Sequence, residues 1–146
     1  MDLEKPLYNV MGILADQMGM VRGNIAILNL QQDEISMEIA HGIPRQAMEK
    51  AKYKLGEGII GEVINSGRSV AIPKISQEPK FLNRTASRGK SGGKEFSFIC
   101  VPIKGGKKVI GALSVDKPYE PRYSLAEGKT ILAVVATMIA RHVINL

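Results

Sequence analysis

The stretch Glu95-Phe96-Ser97-Phe98-Ile99-Cys100-Val101-Pro102-Ile103-Lys104-Gly105-Gly106-Lys107-Lys108-Val109-Ile110-Gly111-Ala112-Leu113-Ser114-Val115-Asp116 decides the fold. Residues 95–103 and 107–116 are two runs rich in β-branched and aromatic side chains. Lys104-Gly105-Gly106-Lys107 between them is a turn, so the stretch predicts a β-hairpin. Pro102 has no N–H to donate to a ladder, so it predicts an edge or a bulge near that end.

Toward the carboxy terminus, residues 124–145 predict one long helix. Ser124 is its candidate N-cap and Glu127 stands three positions on, the spacing of a capping box. Ile131, Val134, Val135, Met138 and His142 form one stripe along it. Leu132, Ala136, Ile139, Val143 and Leu146 form a second. One stripe is enough to cover a sheet face, so the other is expected to meet a partner helix in a homodimer.

Toward the amino terminus, residues 76–94 carry Pro79 and several Gly, Ser and Lys residues and predict a long loop. Loops beyond ~12–15 residues are commonly functional. Residues 69–72 predict a short strand ended by Pro73. Residues 58–65 predict a short helix stopped by Gly67, and 44–52 another that starts at Pro44. Alternation over 24–31 and 34–41, around Gln32-Asp33, predicts a further hairpin closed by Gly42. Leu3, Leu7, Val10, Met11, Leu14 and Met18 lie on one helical face, so 3–18 predicts an amphipathic helix. Strands paired as hairpins and segregated from helices make an α+β domain with an antiparallel sheet.

The 146 residues fit a single domain against a prior of roughly 100–200 residues each. With 45% hydrophobic and 23% charged residues the chain is neither disordered nor collagen-like. No run approaches the ~20 apolar residues of a membrane span, and no secretory signal is visible at the start. One cysteine, Cys100, cannot close an intrachain disulfide. A cytoplasmic setting is expected. The net charge of +6 is concentrated in Lys80, Arg84, Arg88, Lys90 and Lys94, among which no acidic residue falls. Phe81 is the one aromatic there, too little for a single-strand stacking platform, so nucleic-acid binding by this domain is not expected.

The catalytic motifs fail on their contexts. Gly56-Glu57-Gly58-Ile59-Ile60-Gly61 matches the dinucleotide pattern G-x-G-x-x-G. That pattern needs a buried strand before it, and Lys50, Lys52 and Lys54 alternate there instead. Its glycines are expected to serve tight backbone geometry. Gly89-Lys90-Ser91 resembles the end of a Walker A loop, but Arg84 stands where the first glycine belongs. His41, His142 and Cys100 fall in three separate elements without ligand spacing, so no metal site is expected. Cys100 is expected to be a small buried hydrophobe. No nucleophile–base pair is readable, so no enzyme is expected.

Several spaced blocks together resemble a GAF domain. They are Ile39-Ala40-His41-Gly42, Tyr53-Lys54-Leu55-Gly56-Glu57-Gly58-Ile59-Ile60-Gly61, Ser97-Phe98-Ile99-Cys100-Val101-Pro102-Ile103-Lys104 and Gly111-Ala112-Leu113-Ser114-Val115-Asp116. With Ile75-Ser76-Gln77-Glu78-Pro79-Lys80-Phe81-Leu82-Asn83-Arg84-Thr85, the resemblance narrows to the GAF domains of NifA-type nitrogen-fixation activators. It implies a sheet with the amino- and carboxy-terminal helices on one face and a ligand pocket on the other. It also implies a sensory role that gates an AAA+ ATPase, absent here, at sigma-54 promoters. Such domains respond to 2-oxoglutarate, to PII-type signalling proteins or to the partner NifL. Cys100 is followed by Val101 rather than histidine and is a lone cysteine, which weakens the bilin and sulfoxide-reductase readings of the fold. A dianion such as 2-oxoglutarate needs fixed positive charge and hydrogen-bond donors. Arg84, Thr85, Arg88 and Lys94 are the candidate ligand-binding residues, on a loop expected to cover the pocket. The alternatives for that loop are a docking surface for a PII-type protein and a plain connection. The alternative for the whole domain is a dimerisation and docking module with no small ligand.

Overall fold

A computed structural model of the chain describes residues 4–79, 94–122 and 124–144. The hairpin at 95–116 forms as β5 (Phe96–Gly105) and β6 (Lys108–Pro118), paired antiparallel from Phe96↔Pro118 to Gly105↔Lys108. The register shifts between Ile103 and Lys104, one residue past Pro102. On its other side β5 meets β4 (Val70–Ile72) only as far as Val70↔Cys100. Pro102 thus lies on a free edge and next to a bulge, the two places where a missing N–H is tolerated.

The second hairpin is β1 (Arg22–Asn29) and β2 (Glu34–His41). Strand β1 ends two residues before the predicted boundary because Asn29 turns the chain. Its Oδ1 accepts the backbone N–H of Gln31 at 3.0 Å and of Gln32 at 3.3 Å, a side-chain turn that stops the ladder. Pairing of β1 with β6 joins the two hairpins. The helix expected over 44–52 stops early, as α2 (Arg45–Lys50). Lys52–Tyr53 instead makes a short edge strand, β3, paired with Ser36 and Ile35. The six strands run in the order β3-β2-β1-β6-β5-β4.

Helix α1 (Glu4–Met18) and helix α4 (Ala126–Ile144) cover one face of the sheet. Leu7, Met11 and Leu14 from α1, and Leu132, Ala136 and Ile139 from α4, pack there on Ile25, Ile39, Ile99, Val101, Leu113 and Val115. Ser124 Oγ accepts the N–H of Ala126 at 3.1 Å and starts α4 as expected. Of its two stripes, the Leu132–Ala136–Ile139 stripe faces the sheet. Of the other stripe, Ile131 and Val135 pack partly buried against the same core, while Val134 and Met138 are 58% and 62% exposed.

Helix α3 (Gly58–Ser66) packs on the opposite face through Ile59, Ile60, Val63 and Ile64, against Ala26, Ile35, Met37, Phe98, Cys100 and Ala112. The G-x-G-x-x-G glycines fold the chain into α3. The Gly56 N–H bonds to the Gly61 carbonyl at 3.0 Å, and a Cβ on Gly61 would stand 2.6 Å from the Lys54 carbonyl oxygen. Gly67 ends α3 in the left-handed conformation, at φ 73°, with its N–H on the Val63 carbonyl.

Candidate functional site: a buried polar row on the sheet

Side chains of a strand alternate between faces, so one row across the sheet places every second residue on the α3 side. On that side Asn24 of β1 pairs with Ser114 of β6, which pairs with Cys100 of β5. The adjacent row pairs Arg22 with Asp116 and Asp116 with Phe98. Four polar side chains therefore stand side by side within an otherwise apolar layer. Asn24, Ser114 and Asp116 are each at most 2% exposed.

Two of the four are held by charge. Arg22 Nε donates to Asp116 Oδ2 at 3.1 Å, and its guanidinium lies 4.4 Å from the centre of the Phe96 ring. The ring face carries negative quadrupole charge and suits a cation with one edge already engaged. The other two are different. Asn24 Oδ1 and Ser114 Oγ are buried and have no hydrogen-bond partner among the described residues. A buried polar atom left unpaired costs about 1–3 kcal/mol. The two stand directly opposite one another on neighbouring strands.

Cys100 is the one thiol of the row. It is wholly buried, and burial pushes its thiol well above the ordinary value, so it stays protonated at neutral pH. Cys100 is therefore expected to resist a thiol reagent in the native protein and to react stoichiometrically in 6 M guanidinium. Rapid labelling of the folded chain would contradict its placement.

The row lies at the end of the sheet where β1 begins, β6 ends and β5 starts. Glu95 secures that end. Its Oε2 accepts the N–H of Ser76 at 3.3 Å, and its Oε1 accepts the Ser76 hydroxyl. Oε2 also accepts the N–H of Phe96. The bond couples the 3-10 turn Ile75–Gln77 to the first residue of β5. The Ser76 hydroxyl above all, with Lys74 as a weaker aid, holds the Glu95 carboxyl below its usual range. A depressed carboxylate contributes stability above its unfolded pKa and loses it as pH falls through the folded value. Hydrogen-exchange protection of the Ser76 amide is thus expected to persist through the ordinary carboxylate range and to be lost only at more acid pH. In Glu95→Gln it is expected to be lower at neutral pH and insensitive to acid.

Of the residues expected to bind a ligand, Arg84, Thr85 and Arg88 lie outside the described residues. Lys94 is described. It is exposed and stands immediately before Glu95, at the same end of the sheet as Arg22 and Asp116. The polar row itself went unpredicted. Its one sequence signal was a polar residue at every second position, Ser114 and Asp116, in the otherwise apolar run 109–116 of β6. No cluster of three or more metal-ligating side chains occurs among the described residues, and none of their helices is long and apolar enough to cross a membrane.

The family model described as GAF domain matches residues 2–143. The chain is 35% identical to the nitrogen fixation protein VnfA of Azotobacter vinelandii, covering 97% of this chain and 27% of that protein. It is 31% identical to a Nif-specific regulatory protein of Herbaspirillum seropedicae, over 98% of this chain and 26% of the relative. The chain thus spans about a quarter of the length of the curated relatives it matches. Among solved structures, the nlh2 GAF domain of A. aeolicus in an inactive state superposes with a TM-score of 0.81 at 24% identity, over 97% of this chain and 84% of that one. A free methionine-R-sulfoxide reductase of Thermoplasma acidophilum superposes at 0.75 with 16% identity, over 94% of this chain and 89% of that one. Both likenesses concern the fold.

Proposed function

The chain belongs to the GAF domain family, and from that premise we propose that it is the sensory module of a nitrogen-fixation transcription activator. It binds a small polar metabolite on the α3 face of its sheet and passes the bound state to the terminal helices on the other face. The observation that carries this reading is the pair of orphaned polar atoms, Asn24 Oδ1 and Ser114 Oγ, beside the Arg22–Asp116 ion pair. A buried thiol held protonated suits a binding surface better than nucleophilic chemistry. Since β1, β5 and β6 each bury side chains in both cores, a change on one face reaches α1 and α4 through three strands.

The metabolite we propose is 2-oxoglutarate, whose oxygens accept from the Ser114 hydroxyl and the Arg22 guanidinium, while a bridging water donates to Asn24 Oδ1, itself an acceptor. Because Asp116 already neutralises Arg22, the charge of a dianion would be met by Arg84, Arg88 and Lys94, with Thr85 as a further donor. Isothermal titration with 2-oxoglutarate, with succinate and glutamate as controls, tests this. Selective saturable binding that weakens at least about tenfold in Arg84→Ala or Arg88→Ala is the expected result. No heat at millimolar ligand would overturn it, and a PII-type protein would then be tested as the signal by pull-down.

The alternative is a dimerisation module that takes no small ligand. It is favoured by the exposed apolar line of Val134 and Met138 on α4. Sedimentation of Met138→Lys discriminates: a dimer that dissociates in this variant, with no metabolite bound by the parent, supports the alternative.

A further inference from the structure

At the far end of the α3 face, away from Arg22 and Asp116, a cleft of about 460 Å³ opens between the last turn of α3, the end of β1 and the start of β6. Leu28, Leu30, Leu55 and Val109 line its apolar part, and Lys107 and Lys108 stand on its rim. Lys104 adds a third cation beside it. A Cβ on Gly67, which ends α3, would lie 3.4 Å from Val109 and 3.6 Å from the Lys104 side chain. None of the three lysines forms an ion pair with a described carboxylate. Leu30, at 75% exposed, and Leu55, at 40%, are large aliphatic side chains left facing water at its edge.

Exposed leucines beside uncompensated lysines make a surface that is apolar at its centre and positive at its border. The complement is a chain with the reverse arrangement, in which apolar side chains enter the cleft and carboxylates reach the lysines. We propose that this cleft docks an acidic peptide segment carrying aliphatic or aromatic anchors. Nucleic acid fits less well, since no aromatic ring lines the cleft to stack a base. A compact metabolite fits less well too, because the site is open and its floor supplies no convergent polar groups beyond Asn65 and Ser66.

The test is selection of random 12-residue peptides displayed on phage against this protein, with Lys107→Glu/Lys108→Glu as the counter-selected competitor. Chosen peptides are then synthesised with a fluorophore and titrated by anisotropy. The expected result is enrichment of sequences that combine Asp or Glu with Leu, Ile or Phe. Their affinity should fall at least about tenfold in the charge-reversed protein and comparably in Leu30→Ser. It should also weaken as salt is raised past the screening range. Both sites are surface-exposed, and a melting curve confirms that each variant is folded. Peptides without acidic enrichment, or bound equally by the variants, would overturn the proposal. So would displacement of the peptide by a single-stranded oligonucleotide whose own binding ignores Leu30→Ser, which would mark an unselective polyanion surface.

Discussion

Asp116→Ala is expected to lower folding stability by about 3–5 kcal/mol, the usual effect of removing one partner from a buried ion pair. Asp116 is 1% exposed and its carboxylate accepts the Arg22 Nε at 3.1 Å. In the variant the guanidinium keeps the Phe96 ring but loses this carboxylate, and little water reaches it to compensate. Urea unfolding followed by circular dichroism reads the loss as a lower midpoint at unchanged slope. The double variant Arg22→Met/Asp116→Leu should recover much of it, because the desolvation of both charges disappears together. A loss below about 1 kcal/mol would place the pair among ordinary surface bridges and remove the charged half of the site.

Ser114→Ala is expected to act in the opposite direction. The Ser114 hydroxyl is buried without a partner among the described residues, so its removal should raise stability by about 1 kcal/mol. The neighbouring Ala112 shows that a methyl is accommodated on the same strand and face. The same substitution should weaken binding of the metabolite about tenfold, since one hydrogen bond made only in the complex is lost. A gain in stability joined to a loss of binding separates a site kept for function from a residue kept for packing. A variant that is less stable than the parent would show that the hydroxyl is satisfied in the native protein.

The parts legible from sequence were those whose burial is one-sided and long. Helix α1 carries Leu7, Met11 and Leu14 at helical spacing, and these side chains are buried. The β5–β6 hairpin announced itself by two apolar runs around Gly105-Gly106. What was not legible depends on partners remote in the chain. Lys52–Tyr53 pairs with β2 over only two residues, too few for alternation to stand out beside three lysines. Strand β1 was expected to begin at Asn24 and in fact begins at Arg22, because Arg22 pairs with Asp116 on β6. The juxtaposition of Arg22, Asn24, Ser114 and Asp116 follows from that β1–β6 register, which joins residues some ninety positions apart. Arg84 and Arg88 stood out through the basic run and the GAF resemblance that puts their loop over the pocket, whereas the described polar row contributes a single cation.

The central claim is that a small molecule hydrogen-bonds to the polar row on the α3 face. Titration calorimetry of 2-oxoglutarate into the parent protein and into Asn24→Leu tests it most directly. Leucine is close to asparagine in size and removes the orphaned amide without opening a cavity. The expected result is saturable binding to the parent, a loss of at least about tenfold in affinity in the variant, and a variant that melts no lower than the parent. Equal binding by both proteins would contradict it, as would a parent that takes up no ligand at millimolar concentration.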